Sequence, residues 1–508
     1  MMRVTMLSPR QSGRFSRLAA LLAIGGLPVA PGLAQQAPQP ARPAPAPAQA
    51  QQIVPIPMPV APPPVVPTIP LPKLSASQAA ELTKILTDGP IEHGLRYKRQ
   101  GAAIPSDNDA LVREALDYAR AVHSGRLAAS DFDSNWGLRP LPYDPLPAFA
   151  AAVKNDRLQA WNTNLSPPYA GYETLKEGLK KYRQIDAAGG WKTVPAGPDL
   201  ALGSTGPRVA ALRARLAVED TGVAAKGDTF DAALKEAVIR AQRRYGLNPT
   251  GVVSSGTLAA LNVSASDRVR QIMANMERWR WLPEQLEKDR IQVNIAAAVV
   301  TVFDGDNPVM SMRGVTGRPG NETPMLQSSI HSIVLNPPWN VPTSIATKEL
   351  FPKGSAYLAR NGYKVIGTGA GRRLQQQAGP KSALGRYKFD FNNSFAVYLH
   401  DTPSQSTFGR YARLESHGCV RLEKPADLAR HLLRDDPNWQ PDAIQAAVDT
   451  GKTQRVPLKT QVAVYLLYWT AFATQNGTMS FRGDPYSWDK SLASKIEDRS
   501  AAQALAAR

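Results

Sequence analysis

Gln292-Val293-Asn294-Ile295-Ala296-Ala297-Ala298-Val299-Val300-Thr301-Val302-Phe303 is a run dominated by β-branched residues. Side chains branched at Cβ suit the pleated surface of a sheet better than a helix. Asp304-Gly305-Asp306 turns this run into a second one, Val309 to Val315. Ser329 to Leu335 follows and ends at Asn336-Pro337-Pro338, and two more strands are expected at Tyr387 to Phe391 and Phe395 to Leu399. Short strands at hairpin spacing, punctuated by Gly, Asn and Pro, predict a mostly-β domain.

The last strand runs into Tyr398-Leu399-His400-Asp401-Thr402. Fifteen residues, Asp401 to Glu415, separate His400 from Ser416-His417-Gly418-Cys419-Val420-Arg421-Leu422. A free thiol, with a pKa of about 8.5, is mostly protonated at neutral pH. A nearby imidazole can take that proton, and Arg421 would lower the thiol pKa further. Gly418 permits a tight turn or a close backbone approach. Backbone N–H groups beside it could hold a developing oxyanion. Three other readings compete. Cys419 could be a small apolar core residue, but its neighbours are polar. His417 reads as a structural hydrogen-bonding group rather than a base. His400, His417 and Cys419 could bind zinc, but a closed site takes four ligands with Cys or His pairs at short spacing. The chain has one Cys and six His, and His331 and His431 show no such pattern. No metal or other cofactor is expected.

Upstream the pattern is helical. Ser75 and Gln78 form a capping box before Ala79, Leu82, Ile85 and Leu86. Asp107 or Asn108 caps a helix bearing Leu111, Ala115, Tyr118 and Val122, with Gly125 as its stop. A third run holds Leu175, Leu179 and Tyr182. Residues 198–263 make a compact unit with helices at Pro207 to Leu216, Asp231 to Tyr245 and Ser255 to Asn262. A tryptophan-rich helix, Met276 to Trp281, leads into the strands. Residues 35–73 hold 14 of the 44 prolines and no glycine. Such a stretch forms an extended tether rather than a core, with an upper reach of about 3.1 Å per residue.

The N-terminus bears on compartment. Arg3, Arg10, Arg14 and Arg17 precede an acid-free apolar run, Leu18 to Ala34, closed by Gly32 and Ala34. This is the pattern of a cleaved secretory signal. An uncleaved anchor is the alternative, but the run falls short of the roughly 20 apolar residues a spanning helix needs. A single cysteine in an exported chain cannot form an internal disulfide, so the thiol needs another reason to be there. With 508 residues there is room for two or three cores, since domains run to roughly 100–200 residues. Lys and Arg outnumber Asp and Glu by 60 to 42, a net charge of +18. That favours an acidic partner. No basic run of five and no nucleic-acid motif is present, so nucleic acid is not expected.

Two resemblances sharpen this reading. The 198–263 unit resembles the three-helix peptidoglycan-binding domain, with Gly206, Val209, Leu212, Asp231, Gln242, Gly251, Thr257 and Asn262 at matching positions. Most of these are core or turn positions, so the match speaks for fold more than for ligand. The His400 and Ser416–Arg421 stretches are similar to the active-site motif of the L,D-transpeptidase catalytic domain, a histidine, about fifteen residues, then [S/T]-H-G-C-x-R. Thr323-Pro324-Met325, Leu335 to Pro342, Ala383 to Phe389 and His400 to Pro403 extend the likeness to the large, multidomain Gram-negative branch of that family. Leu422 departs from the Asn of many smaller members.

The resemblance implies a multidomain α+β chain: signal peptide 1–34, proline-rich linker 35–73, helical scaffold domain 74–197 and peptidoglycan-binding-like module 198–263. A connecting helix 264–290, a mostly-β catalytic domain 291–490 with a lid insertion at about 344–381, and a C-terminal tail 491–508 complete it. It implies a periplasmic enzyme of wall biogenesis that takes peptidoglycan stem peptides, with the wall-synthesis machinery as a peripheral partner. Cys419 would attack a tetrapeptide stem, release D-alanine and form a thioester. A second stem's diaminopimelate amine would then give a 3→3 crosslink. His400 would be the base, oriented by the Asp401 carbonyl. Gly418 and Cys419 N–H groups would bind the oxyanion, and Ser416, His417 and Arg421 would support the site. Asn336, Trp339 and Tyr387 would line the substrate pocket, and carbapenems would acylate the thiol. The same thioester could instead pass to water, a free D-amino acid or a lipoprotein lysine. A non-catalytic wall-binding protein and a cysteine protease are the readings of another class.

Overall fold

The computed structural model describes residues 70–96, 104–474 and 477–506. The signal pattern, and the proline-rich stretch up to residue 69, lie outside the described residues. Helix α1 (Ala76–Glu92) starts on a capping box, in which Ser75 Oγ accepts the Gln78 N–H at 3.2 Å and Gln78 Oε1 accepts the Ser75 N–H at 3.0 Å. Helix α2 (Asn108–Ser124) is capped by Asp107 and stops at Gly125, whose φ of 91° suits glycine. With α3 (Leu146–Lys154) and α4 (Leu158–Asn164) they enclose a small core around Leu82, Val112, Phe149 and Trp161. Helix α5 (Ala170–Ala187) leaves that core: its Tyr172, Leu175, Leu179 and Tyr182 join the main one. The helical region expected as a single scaffold is therefore split between two cores.

Helices α6 (Pro207–Ala217), α7 (Ala232–Arg244) and α8 (Ser255–Leu261) form the three-helix module. Gln242 pins it internally, donating to Val252 O at 2.8 Å and accepting the Gly251 N–H at 2.9 Å. Helix α9 (Ala265–Trp279) starts within one residue of the expected connecting helix 264–290 but ends well short of residue 290, and Trp281 lies past its end. It is buried along nearly its whole length, because it sits between α5 and the C-terminal domain.

That domain is built on β1 (Asp289–Asn294), β2 (Val299–Asp304), β3 (Asn307–Gly317), β4 (Leu326–Leu335), β5 (Trp339–Val341), β6 (Tyr363–Ile366), β7 (Arg373–Gln376), β8 (Tyr387–Phe391), β9 (Leu399–His400), β10 (Leu414–Ser416), β11 (Val420–Leu422) and β12 (Gln454–Leu467). The strand order is β3-β11-β9-β8-β4-β12-β1-β2, and β2 pairs back to β3, so the sheet closes on itself; β10 adds to β3. β5, β7 and β6 form a separate three-stranded sheet, in that order, within the insertion between β4 and β8.

Three expectations are corrected. Gln292 to Phe303 is a hairpin, not one strand: it turns at residues 295–298, where Ala298 has a φ of 50°. The reason is parity. In a continuous strand Val293 and Val300 would face opposite sides; the hairpin pairs them, and both are fully buried. Of the expected Phe395–Leu399 strand only Leu399 pairs, and the strand extends to His400 instead; Ala396 has a φ of 56°, and Asn393 holds the loop by accepting the Phe395 and Val397 N–H groups at 3.1 Å. The expected tail is part of a helix, Trp488–Ala506, that packs Leu492, Ala493 and Ile496 inward against α9.

Candidate active site

Strand register assembles the site. β9 and β11 run parallel, with Leu399 opposite Val420 and His400 opposite Arg421. By the two-residue alternation of a strand, Tyr398, His400, Cys419 and Arg421 share one face, and the fully buried Leu399, Val420 and Leu422 share the other. β8 widens the first face, because Lys388 lies opposite His400 and Asp390 follows two residues on.

His400 Nδ1–H donates to the Asp401 carbonyl at 2.5 Å. A carbonyl only accepts, so the neutral ring keeps its lone pair on Nε2. The ring is buried, and among the described residues Nε2 has no hydrogen-bond partner. Burial, and then the charge of Arg421, lowers its pKa to about 3 against the pull of the Asp401 carbonyl. Asp401 is itself fixed: its carboxylate accepts the Arg386 and Thr402 N–H groups, each at 2.7 Å. Gly385 lies against that carboxylate with a φ of 60°, and a Cβ there would fall 2.2 Å from Asp401 Oδ2.

Cys419 is 9% exposed. Burial pushes its thiol above the ordinary value, while the Tyr398 N–H, Lys388, the Tyr398 side chain and Arg421 pull it back. The Tyr398 phenol stands beside the sulfur, although Oη does not reach ordinary hydrogen-bond geometry with it or with any other described atom. At rest the site thus holds a neutral thiol and a neutral imidazole. Two cations stand next to them. Arg421 is 6% exposed, with Nε unpartnered among the described residues. Lys388 Nζ lies 4.3 Å over the Tyr398 ring and 2.7 Å from Asp390 Oδ1.

The turn before Cys419 is locked by hydroxyls. Ser416 Oγ donates to Cys419 O at 2.6 Å and accepts the Gly418 N–H at 3.1 Å. Thr323 Oγ1 donates to Gly418 O at 2.7 Å and accepts the Gly317 N–H at 2.8 Å. Gly418 has a φ of 112°, which favours glycine. This corrects the expected oxyanion site. The Gly418 N–H is taken by Ser416, whereas the Cys419 N–H makes no hydrogen bond among the described residues.

The remaining expected residues divide. His417 Nε2 lies 2.9 Å from an Arg318 nitrogen and 3.2 Å from Glu349 Oε1, which ties the motif to the insertion. Burial and Arg318 lower its pKa, and Glu349 opposes them. The three expected pocket residues do not join the site. Asn336 is 1% exposed, and its side chain is used inside the fold, donating to Val448 O at 2.9 Å and accepting from Arg386 at 3.1 Å. Trp339 is fully buried in the insertion's core near Tyr363. Tyr387 is buried one residue out of phase with Lys388, on the opposite sheet face from Cys419. Sequence reasoning missed Lys388, Tyr398 and Thr323 as site residues. The first two were within reach through the alternation Tyr398-x-His400 once β8 was aligned; Thr323 acts through a loop contact with no periodic signal.

Residues 288–462 match the L,D-transpeptidase catalytic domain family, residues 205–261 a peptidoglycan-binding domain and residues 109–179 a scaffold domain. A curated Haemophilus influenzae protein named as an L,D-transpeptidase is 30% identical over 247 residues, 45% of this chain and 50% of its own length. The chain thus spans about half the length of that relative. Among solved structures, an L,D-transpeptidase from Stackebrandtia nassauensis is 16% identical, covering 54% of this chain and 96% of its own, with a TM-score of 0.22. One from Mycobacterium tuberculosis is 16% identical, covering 35% and 60%, with a TM-score of 0.19.

Proposed function

For a chain that carries an L,D-transpeptidase catalytic domain and a peptidoglycan-binding domain, we propose that Cys419 forms a thioester with a tetrapeptide stem and passes it to a second stem. The observation that carries this reading is the His400 tautomer. Its Nδ1–H is fixed on Asp401 O, and an unpartnered Nε2 lone pair shares a sheet face with the only thiol of the chain. As Cys419 Sγ bonds to the scissile carbonyl carbon, Nε2 takes the thiol proton and the carbonyl electrons move onto oxygen, facing the Cys419 N–H. Collapse expels D-alanine, whose amine takes the proton from His400. The diaminopimelate amine of a second stem then attacks the thioester, gives its proton to Nε2, and leaves a 3→3 crosslink with the thiol restored. Proton transfer of this kind is worth about 10²–10⁴-fold in rate. Arg421 and Lys388 favour the negative charge that develops.

The reaction belongs in the periplasm, which the N-terminal signal pattern supports, and the basic surface suits carboxylate-bearing stems. Incubation of the full chain with disaccharide-tetrapeptide should give, by mass spectrometry, a dimer lacking one D-alanine. The dimer should be absent with Cys419→Ala and with His400→Ala. Dimer formed by Cys419→Ala would sink the proposal, and tripeptide alone would make water the acceptor. A carbapenem, whose strained lactam carbonyl is an acyl donor, should add its mass to Cys419 and leave Cys419→Ala unmodified.

A further inference from the structure

The insertion between β4 and β8 carries, beyond β5, a charge imbalance that the chemistry at Cys419 does not use. From Ser344 to Lys381 it holds seven Lys and Arg residues and a single acid, Glu349. All seven cations are exposed, and none has a carboxylate at ion-pair distance among the described residues. Glu349 is turned toward His417, so it does not neutralise the outer surface.

The same insertion presents an open strand. β6 pairs only with β7 and ends the three-stranded sheet. The Gln377 N–H bonds Gly362 O at 2.8 Å. Two-residue alternation then makes Lys364–Gln375 and Ile366–Arg373 the hydrogen-bonded pairs of the ladder. Val365 therefore turns its N–H and C=O to the open side, and neither is bonded among the described residues. Val365 and Ile366 are 48% and 44% exposed, and Lys364, Ile366 and Arg373 lie on one face. Charged residues on an edge often serve only to repel other strands. Here Lys364 and Arg373 flank exposed apolar side chains, within an insertion whose formal excess is six positive charges.

We propose that β6 is a docking strand for an extended, carboxylate-bearing peptide, a stem of the wall polymer. The peptide's backbone would pair with Val365, and its carboxylates would meet Lys364 and Arg373. This inference rests on the function proposed above. An open edge supplies backbone pairing, and the unneutralised cations select an anionic strand over a neutral one.

The test is calorimetric titration of disaccharide-tetrapeptide into the full chain carrying Cys419→Ala, which prevents turnover. Lys364→Glu with Arg373→Glu should weaken binding by about tenfold or more, and raised salt should weaken the parent toward the same level. Val365→Pro, which removes the outward N–H without breaking a hydrogen bond of the β6–β7 ladder, should weaken it by several-fold. In chains that keep Cys419, the rate of carbapenem acylation should be the same with and without these changes, since none touches the thiol. Unchanged stem affinity in both variants would overturn the docking strand. D-alanine release by the unaltered chain is read separately: its absence would overturn the function, while its presence with unaltered KM in the variants would overturn the docking strand alone.

Discussion

At Cys419 and His400 the fold withholds charge from both partners. Burial raises the thiol and lowers the imidazole to about 3, so the proton stays on sulfur until a substrate arrives. Alkylation by iodoacetamide should therefore be slow at pH 7 and still be rising at pH 9. Arg421→Gln removes a cation that favours thiolate, and should move the alkylation profile up by about half to one pH unit. The same burial sets a stability trend. The unfolded imidazole titrates near 6.5, so below that pH the unfolded chain takes a proton that folded His400 refuses. Stability should fall as pH drops from about 6.5 toward 3, by up to about 1.4 kcal/mol per pH unit for such a group. Urea unfolding between pH 7 and 4 should show a shallower fall for His400→Gln. The thiol and imidazole proposed as nucleophile and base, and the carbonyl that holds the imidazole, stand close together in the sequence, where their residue types single them out. The pocket guesses at Asn336, Trp339 and Tyr387 were not sound, because sequence shows neither strand phase nor where a side chain's hydrogen bonds are used.

Among the elements, the helices were legible where a cap opens an apolar stripe, as in α1, and where a stop also closes it, as in α2. The strands were less so. Val293 to Val302 reads as one run, and only the change of parity across Ala296-Ala297-Ala298 betrays a turn. β9 is only two residues long, yet its two ladders set His400 against Arg421 and Lys388. Loops do the rest, and Gly385 is the position on which one of them depends. Gly385→Ala forces a Cβ into the Asp401 carboxylate at a left-handed φ, which should cost about 1–3 kcal/mol. Because Asp401 orients His400, the variant should lose turnover beyond what its lowered Tm explains, and activity measured well below Tm separates the two effects.

For the molecule as a whole, the three-helix module is not a loosely tethered bead. Glu219, buried beside α6, accepts hydrogen bonds from Tyr182 of α5 and Tyr245, and pairs with Arg215 at 2.8 Å. Burial alone would raise its pKa, but Arg215 and Arg244 hold it down at about 2. Glu219→Ala strands these buried cations and should cost about 3–5 kcal/mol. Because the module, α5, α9 and the barrel share one continuous core, calorimetry should show the loss as a downward shift of their common transition rather than as a separate early melt. The Arg215–Glu219 pair is an i,i+4 spacing on the chain, but Tyr182 and Tyr245 lie 37 and 26 residues from Glu219, and no local pattern exposes that coupling.

The last barrel strand in chain order carries a consequence for biosynthesis. β1 lies between β2, its hairpin partner, and β12, its parallel partner, which joins it at Ile291–Val464. More than 150 residues separate these two strands in the chain. A ribosome delivers the N-terminal side first, so β1 and β4 must stand with unsatisfied edges until residues 454–467 are made. Chaperone or protease encounter is most probable for the nascent chain in that interval, and a ribosome stalled shortly before Gln454 should yield a catalytic domain that is degraded rather than folded.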